Sequence, residues 1–310
     1  MKTFKINLTS NFEPYNINLA IGNFDGIHIG HQRLIKDLVT NSKKMNLKSA
    51  IMTFNPHPRQ FFTNNYKNFN IINEDDKIEL LRKLDVDYYI AFEFDSSLAS
   101  LSPEKFIIEV LVNKLKIKNI TVGYDFKFGK DRKGNNDLLK KFSSKYKYKV
   151  LVIDRIMNKK DLLPYSSTYI REHITKGDFK KVSLMLGRNW SLSGKVIYGD
   201  QRASKINFPT ANIVPNDLIK PKMGVYVIRA KYLGDYYDGI ANYGVRPTIK
   251  GEKLLLEAHL FKFNENIYSK DLTVEFLTFI REEKKFNDFT SLKKQIQKDI
   301  QIVKKYHLEK

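Results

Sequence analysis

The stretch Leu19-Ala20-Ile21-Gly22-Asn23-Phe24-Asp25-Gly26-Ile27-His28-Ile29-Gly30-His31 constrains this chain more than any other. A short apolar strand runs into a glycine-punctuated turn, and Leu34, Ile35, Leu38 and Val39 then recur at helical spacing. Gly22, Gly26 and Gly30 let the backbone bend tightly and approach a ligand without Cβ interference. A helix beginning near Gly30 aims its free N–H groups and positive dipole end at the turn, which suits a phosphate. His28 and His31, either side of that helix start, can face the same anion. The same residues also describe a pair of surface histidines at a helix cap.

A chain of 310 residues has room for about two domains. Its hydrophobic content of 42%, with 21 Phe and 17 Tyr, is enough for packed cores. The absence of cysteine excludes disulfides, thiolate metal sites and cysteine nucleophiles. Met1-Lys2-Thr3-Phe4-Lys5 leads into no apolar segment of the signal-peptide kind, and no run of about 18 apolar residues follows, so a cytoplasmic protein without a membrane segment is expected. The net charge of +20 comes from dispersed lysines, many beside Asp or Glu, in a chain also rich in Asn and Ile. AT-rich coding explains that bias, and anionic nucleotide substrates add to it. A nucleic-acid partner is the lesser reading.

Lys48–Phe54 reads as the next strand, so the first unit is βαβ and the sheet parallel. Asn55-Pro56-His57-Pro58 is expected as an extended loop at the strand's C-terminal end, where open α/β sheets bind ligands. Helices are expected near 74–84, 103–115 and 135–145, with strands near 88–93, 118–122 and 148–154, as in a doubly wound fold. In Gly123-Tyr124-Asp125-Phe126-Lys127-Phe128-Gly129 the aromatics suit either a wall for a flat ring or the edge of the core. In Ser166-Ser167-Thr168-Tyr169-Ile170-Arg171, hydroxyls cap a helix with a guanidinium one turn inside, around a single anion.

Beyond Trp190 helical periodicity gives way to short alternating strands around 192–198, 224–232, 236–243, 253–263 and 271–279, which argue a small antiparallel barrel or sandwich. The boundary falls at 183/184, after a short helix between Gly177 and Gly187. A closing amphipathic helix puts Phe289, Leu292, Ile296, Ile300 and Val303 on one face. Gly194 and Gly199 bracket a turn that a phosphate can approach, and Thr210 and Asn212 offer neutral oxygens suited to Mg²⁺. A hydrogen-bonded β-turn fits the same residues. Period-two alternation puts Leu255, Glu257 and His259 on one face, where a carboxylate is either solvated or a general base.

Together these segments resemble the bacterial bifunctional riboflavin kinase/FAD synthetase family. The N-terminal part carries Gly-Asn-Phe-Asp-Gly-Ile-His-Ile-Gly-His, Thr-Phe-Asn-Pro-His-Pro, Val-Gly-Tyr-Asp-Phe-Lys-Phe-Gly and Ser-Ser-Thr-Tyr-Ile-Arg. The C-terminal part carries Phe-Pro-Thr-Ala-Asn, Gly-Val-Tyr, Ala-Asn-Tyr-Gly-Val-Arg-Pro-Thr and Val-Glu-Phe-Leu-Thr-Phe-Ile-Arg. The resemblance implies a Rossmann-like nucleotidyltransferase domain with a parallel sheet over 1–183. It implies a small antiparallel β-barrel with a closing helix over 184–310. It further implies phosphorylation of riboflavin by ATP to FMN, then adenylylation of FMN by a second ATP to FAD and pyrophosphate, with Mg²⁺ as cofactor.

Carried over residue by residue, Glu257 matches the kinase base, and Thr210 and Asn212 match the metal ligands. His28 and His31 match the residues that stabilise charge on the α-phosphate. Gly22, Phe24, Gly30, Ser167, Thr168 and Arg171 match positions around ATP in the first domain, and Gly194, Lys195 and Gly199 those in the second. Pro56, His57, Pro58, Asp125, Phe126, Phe128 and Arg281 match flavin-side positions. The expected partners are riboflavin, FMN and ATP, with neither membrane nor nucleic acid, and self-association is left open. The family pattern runs Gly-Arg after Arg202 and Leu-Gly before Phe-Pro-Thr-Ala-Asn, whereas this chain has Ala203-Ser204 and Ile206-Asn207. Losing two glycines from a loop that approaches ATP can slow or stiffen the kinase step, but Thr210, Asn212 and Glu257 are kept, so activity is expected to remain. Two competing readings are a chain in which only adenylyl transfer works, and a nucleotide-handling domain fused to an RNA-gripping barrel.

Overall fold

The computed structural model describes residues 1–14, 16–64, 67–154, 157, 165–198, 208–248, 251–286 and 288–308. Its first unit is built on a parallel sheet. β1 (Lys2–Ile6), β2 (Ile17–Ile21), β3 (Lys48–Asn55), β4 (Tyr88–Glu93), β5 (Asn119–Gly123) and β6 (Lys149–Ile153) lie in the order β1-β4-β3-β2-β5-β6. β2 is buried along its whole length, as a central strand covered on both faces must be. Leu19 and Ile21 enter one apolar cluster with Ile107, Val110, Leu111 and Leu139, while Ala20 enters another with Ile35, Leu38 and Leu81.

The helices of this unit are α1 (Ile29–Lys44), α2 (Pro58–Thr63), α3 (Glu74–Lys83), α4 (Ser96–Ser100), α5 (Pro103–Lys105) and α6 (Asn136–Tyr146). α5 runs on as a π-helical stretch, Phe106–Lys114. The expected strands and helices are observed in order; α4 was not among them, and three further points differ. β1, too short and polar to stand out, is an edge strand paired in parallel with β4. Asn55–Pro58 is not extended throughout, because His57 caps α2 by accepting the Arg59 N–H at 3.0 Å. Phe128 is core, 5% exposed and packed on Phe106.

The chain divides into compact units Met1–Ser167 and Thr168–Lys310. In the second, α7 (Ser167–Lys176, its first residue in the other unit) and α8 (Phe179–Leu186) precede a closed barrel. β7 (Trp190–Ile197), β8 (Ala211–Ile213), β9 (Gly224–Tyr232), β10 (Asp235–Thr248), β11 (Gly251–Leu260) and β12 (Asp271–Arg281) close it in the order β10-β11-β8-β7-β12-β9. The three-residue β8 was not among the expected strands. The compact units part at Ser167/Thr168. The cause is packing: Phe179 of α8 stacks on Trp190 and meets Tyr226 and Phe276 of the barrel.

α9 (Phe289–Leu308) lays Val303 against Val227 and Leu277. Its buried face departs from the expectation at two places. Phe289 is 59% exposed, and Asp299, 2% exposed, sits on the buried side paired with Arg281. Among the described residues no helix is long and apolar enough to cross a membrane.

Candidate active site

β2 pairs with β3 on one side and β5 on the other, so the chain's winding reverses there. The crevice beyond the C-terminal ends of strands at such a switch point is where open α/β sheets take ligands. The Gly22–His31 turn leaves β2 at that place, the Gly22 N–H continuing the ladder to the Met52 carbonyl at 3.1 Å. Phe24, buried with φ 46°, turns its ring under Gly22. The Asp25 carboxylate accepts the Ile71 N–H at 2.9 Å, and its carbonyl accepts the Ser167 hydroxyl at 2.8 Å. Strand end and turn are thereby tied to Ile71 and Ser167 of the same unit.

His28 caps α1, its Nδ1 accepting the His31 N–H at 3.2 Å. That bond places the proton of the neutral His28 ring on Nε2. The two imidazoles stack with centroids 3.6 Å apart, and the edge of Phe24 closes the far side of His31 at 5.1 Å. Gly30 has no side chain to intervene between His28 and Tyr165, both of which a Cβ there would touch. Burial, then His28, then Lys77 hold the His31 imidazole well below its ordinary 6.5, so it is neutral at pH 7. Its Nδ1 is buried without a hydrogen-bond partner among the described residues. Lys77, which the sequence did not single out, has a side chain only 12% exposed and pairs with Glu74 at 3.4 Å. Glu74 in turn accepts from the buried Tyr89 hydroxyl at 2.5 Å.

Pro56, His57 and Pro58 are half-buried at the end of β3, with His57 edge-on to Phe69 at 4.8 Å. Phe126 is half-buried and stacked on Phe128 at 5.5 Å, so Phe126 can present a face while Phe128 supports it from the core; Asp125 is exposed. Thr168 (exposed) and Arg171 (half-buried) lie on α7 in the second unit.

In the barrel, Asn242 of β10, Glu257 of β11 and Asn212 of β8 face one another in register, one row across adjacent strands. Thr210 precedes β8 by one residue and is half-buried. The Asn212 side chain is 7% exposed and no hydrogen bond engages it among the described residues. Arg246 donates from Nε and Nη2 to Glu257 Oε2 at 2.8 and 2.7 Å, and from Nη1 to Glu283 Oε1 at 2.7 Å. Burial alone would lower the guanidinium's pKa, but the Glu257 and Glu283 carboxylates raise it above its ordinary value. Arg246, Asn242 and Glu283 carried no assigned role in the sequence. Arg246 and Asn242 stood inside the quoted Ala-Asn-Tyr-Gly-Val-Arg-Pro-Thr motif, whereas nothing local marks Glu283.

Gly194 serves the barrel itself, since a Cβ there would strike the Val214 carbonyl where β7 passes β8. Lys195 beside it is exposed. Arg281 is engaged by Asp299, donating from Nε at 3.1 Å and Nη2 at 2.7 Å. Gly199 and the substituted positions Ala203, Ser204, Ile206 and Asn207 lie outside the described residues.

A family model described as FAD synthetase matches residues 11–169, and one described as riboflavin kinase matches residues 186–307. A bifunctional riboflavin kinase/FMN adenylyltransferase of Buchnera aphidicola (Schizaphis graminum) is 38% identical over 301 residues, covering 96% of each chain. Proteins of the same description from Haemophilus influenzae and Escherichia coli K12 are 38% and 33% identical, covering 93% and 91% of this chain and 93% and 90% of theirs. A solved structure described as a macrolide-efflux protein from Streptococcus pneumoniae matches with TM-score 0.87 and 28% identity over 97% of this chain and 98% of that one. The histidine turn and the closed barrel with its Asn212–Glu257 row thus fall within the two matched models, and the chain belongs to the bifunctional riboflavin kinase/FMN adenylyltransferase family.

Proposed function

We propose that this chain converts riboflavin to FMN at the barrel and FMN to FAD at the parallel sheet, with 184–310 and 1–183 as the respective catalytic segments. The observation that carries this reading furthest is the register pairing of Glu257 with Asn212. It supports a carboxylate base and an oxygen-donor amide acting on one substrate.

In the kinase reaction the Glu257 carboxylate takes the proton of the terminal ribityl hydroxyl as that oxygen attacks the γ-phosphorus of ATP, and ADP leaves. Because Arg246 binds Oε2 alone, Oε1 is the oxygen available to the proton. Thr210 and Asn212 would hold Mg²⁺, a hard ion, through neutral oxygens, and the buried Asn212 amide, unengaged among the described residues, fits that part. Mg²⁺, when bound, neutralises phosphate charge.

In the second reaction an FMN phosphate oxygen attacks the α-phosphorus of ATP and pyrophosphate leaves. His28, from Nε2, and His31 donate hydrogen bonds to phosphate oxygens where charge accumulates. Gly22, Phe24 and Gly30 shape the turn around the nucleotide. Ser167 contributes a hydroxyl to it, and Thr168 and Arg171 are nucleotide-side positions by the family resemblance. Pro56, His57, Pro58, Asp125 and Phe126 border the flavin, with Phe128 behind Phe126. Lys195 and Gly194 take the nucleotide side of the barrel, and Arg281 the flavin side.

The test is a chromatographic time course of purified protein with riboflavin, ATP and Mg²⁺, beside one started from FMN. FAD from both starts is expected. FAD from FMN alone overturns the kinase half and leaves an adenylyltransferase. No product from either overturns the whole reading.

A further inference from the structure

Glu283 lies beyond the end of β12, outside the register that aligns Asn212, Glu257 and Asn242, yet its carboxylate reaches that row. Two donors bridge it to Glu257. Arg246 gives Nη1 to Glu283 Oε1 at 2.7 Å while Nε and Nη2 both go to Glu257 Oε2. Asn242 gives Nδ2 to Glu283 Oε1 at 2.9 Å and stands 3.5 Å from Glu257 Oε2.

Alternate residues of β10 share a face, so Asn242, Gly244 and Arg246 stand in line. Gly244 leaves the gap that Glu283 fills: a Cβ there would overlap both of its carboxylate oxygens. A guanidinium released to a carboxylate closes fork to fork, one N–H on each oxygen. Here Nη1 is held elsewhere, and the two remaining donors converge on one oxygen. Among the described residues Glu257 Oε1 is left uncommitted.

We propose that Glu283 is a positioning residue of the kinase site, which by anchoring Arg246 and Asn242 confines Arg246 to Oε2 of Glu257 and keeps Oε1 open to the substrate hydroxyl. The proposal rests on Glu257 being the base. Glu283 touches no substrate; it acts through Arg246.

The experiment measures kcat and KM for riboflavin phosphorylation in the full chain, with FMN adenylylation by the same preparation as a check on folding. Glu283→Ala is expected to lower the kinase kcat about tenfold with KM for riboflavin within about twofold, and to leave adenylylation unchanged. Glu283→Gln retains an acceptor oxygen for both donors and is expected to recover to within about threefold of the parent. The double variant Arg246→Ala, Glu283→Ala should be no slower than Arg246→Ala alone. A Glu283→Ala enzyme with parental kcat, parallel loss of both activities, or additive effects of the two alanines would overturn the proposal. Glu257→Gln, measured alongside, separates the two ideas. Its full activity overturns the base assignment itself, whereas its inactivity with a normal Glu283→Ala enzyme removes only the role of Glu283.

Discussion

The imidazoles of His28 and His31 lie face to face, 3.6 Å between centroids and within 14° of parallel. Two cations cannot stack so, and the depressed pKa of His31 accords with its being neutral. The unfolded chain takes up this proton near 6.5, the folded chain only well below it. The associated stability is therefore complete above about pH 6.5 and is lost as pH falls from there towards the folded value. Calorimetry of the parent and His31→Gln should show the parent losing Tm more steeply on acidification below pH 6.5. Equal slopes would dismiss the idea. NMR of the His31 ring carbons should show its pKa rising when ATP binds, since an adjoining anion favours the protonated form.

Asn212 is expected to act through the metal. Asn212→Ala should raise the Mg²⁺ concentration needed for half-maximal riboflavin phosphorylation about tenfold or more, by loss of an inner ligand. The Mg²⁺ dependence of adenylylation should not move. A common shift in both would point to a change in the MgATP supply and away from the barrel.

Gly244→Ala displaces Glu283 without altering any charge. Kinase kcat should fall about tenfold from misplacement of the reacting groups, with adenylylation intact. Gly234 is a control, having nothing within 4 Å of a Cβ position although its φ of 101° strains any replacement. If Gly234→Ala slowed the kinase equally, strand strain and not the carboxylate would be responsible.

Arg281 and Asp299 form an ion pair with side chains 17% and 2% exposed. Asp299→Ala leaves the guanidinium without its partner and should cost about 3–5 kcal/mol, read by denaturant unfolding. Arg281→Met with Asp299→Leu should recover most of that loss, because an apolar pair of similar volume replaces a buried ion pair at little cost. If Arg281 serves the flavin, the recovered protein should still show a raised KM for riboflavin. An unchanged KM would confine Arg281 to the fold.

The sequence exposed what is encoded locally. Apolar runs of strand length between helical periods revealed the parallel sheet, and the histidine turn announced its position because strand, glycines and helix are contiguous in Leu19–His31. Glu257 and Thr210-Ala211-Asn212 were readable as short motifs, and their meeting depends only on β8 pairing with β11. What stayed hidden depends on distant partners. β1 gains its place only from β4, and Glu283 gains its part only from a space left by Gly244. Asp299 looks polar and solvated until Arg281 is beside it. Phe128 reads the same whether it lines a pocket or fills a core, and burial against Phe106 decides.

The packing of α8 on the barrel puts residues 183 and 184 inside one folding unit. A chain severed at 183/184 would leave Trp190, Tyr226 and Phe276 without Phe179, and Val182 would go with it. Such a fragment would present an aromatic patch to water and self-associate or precipitate. Severed at 167/168, the same barrel would keep its own cover. Any modular reuse of this kinase, by recombination or by the engineer's hand, has to carry α8 along as part of the cargo.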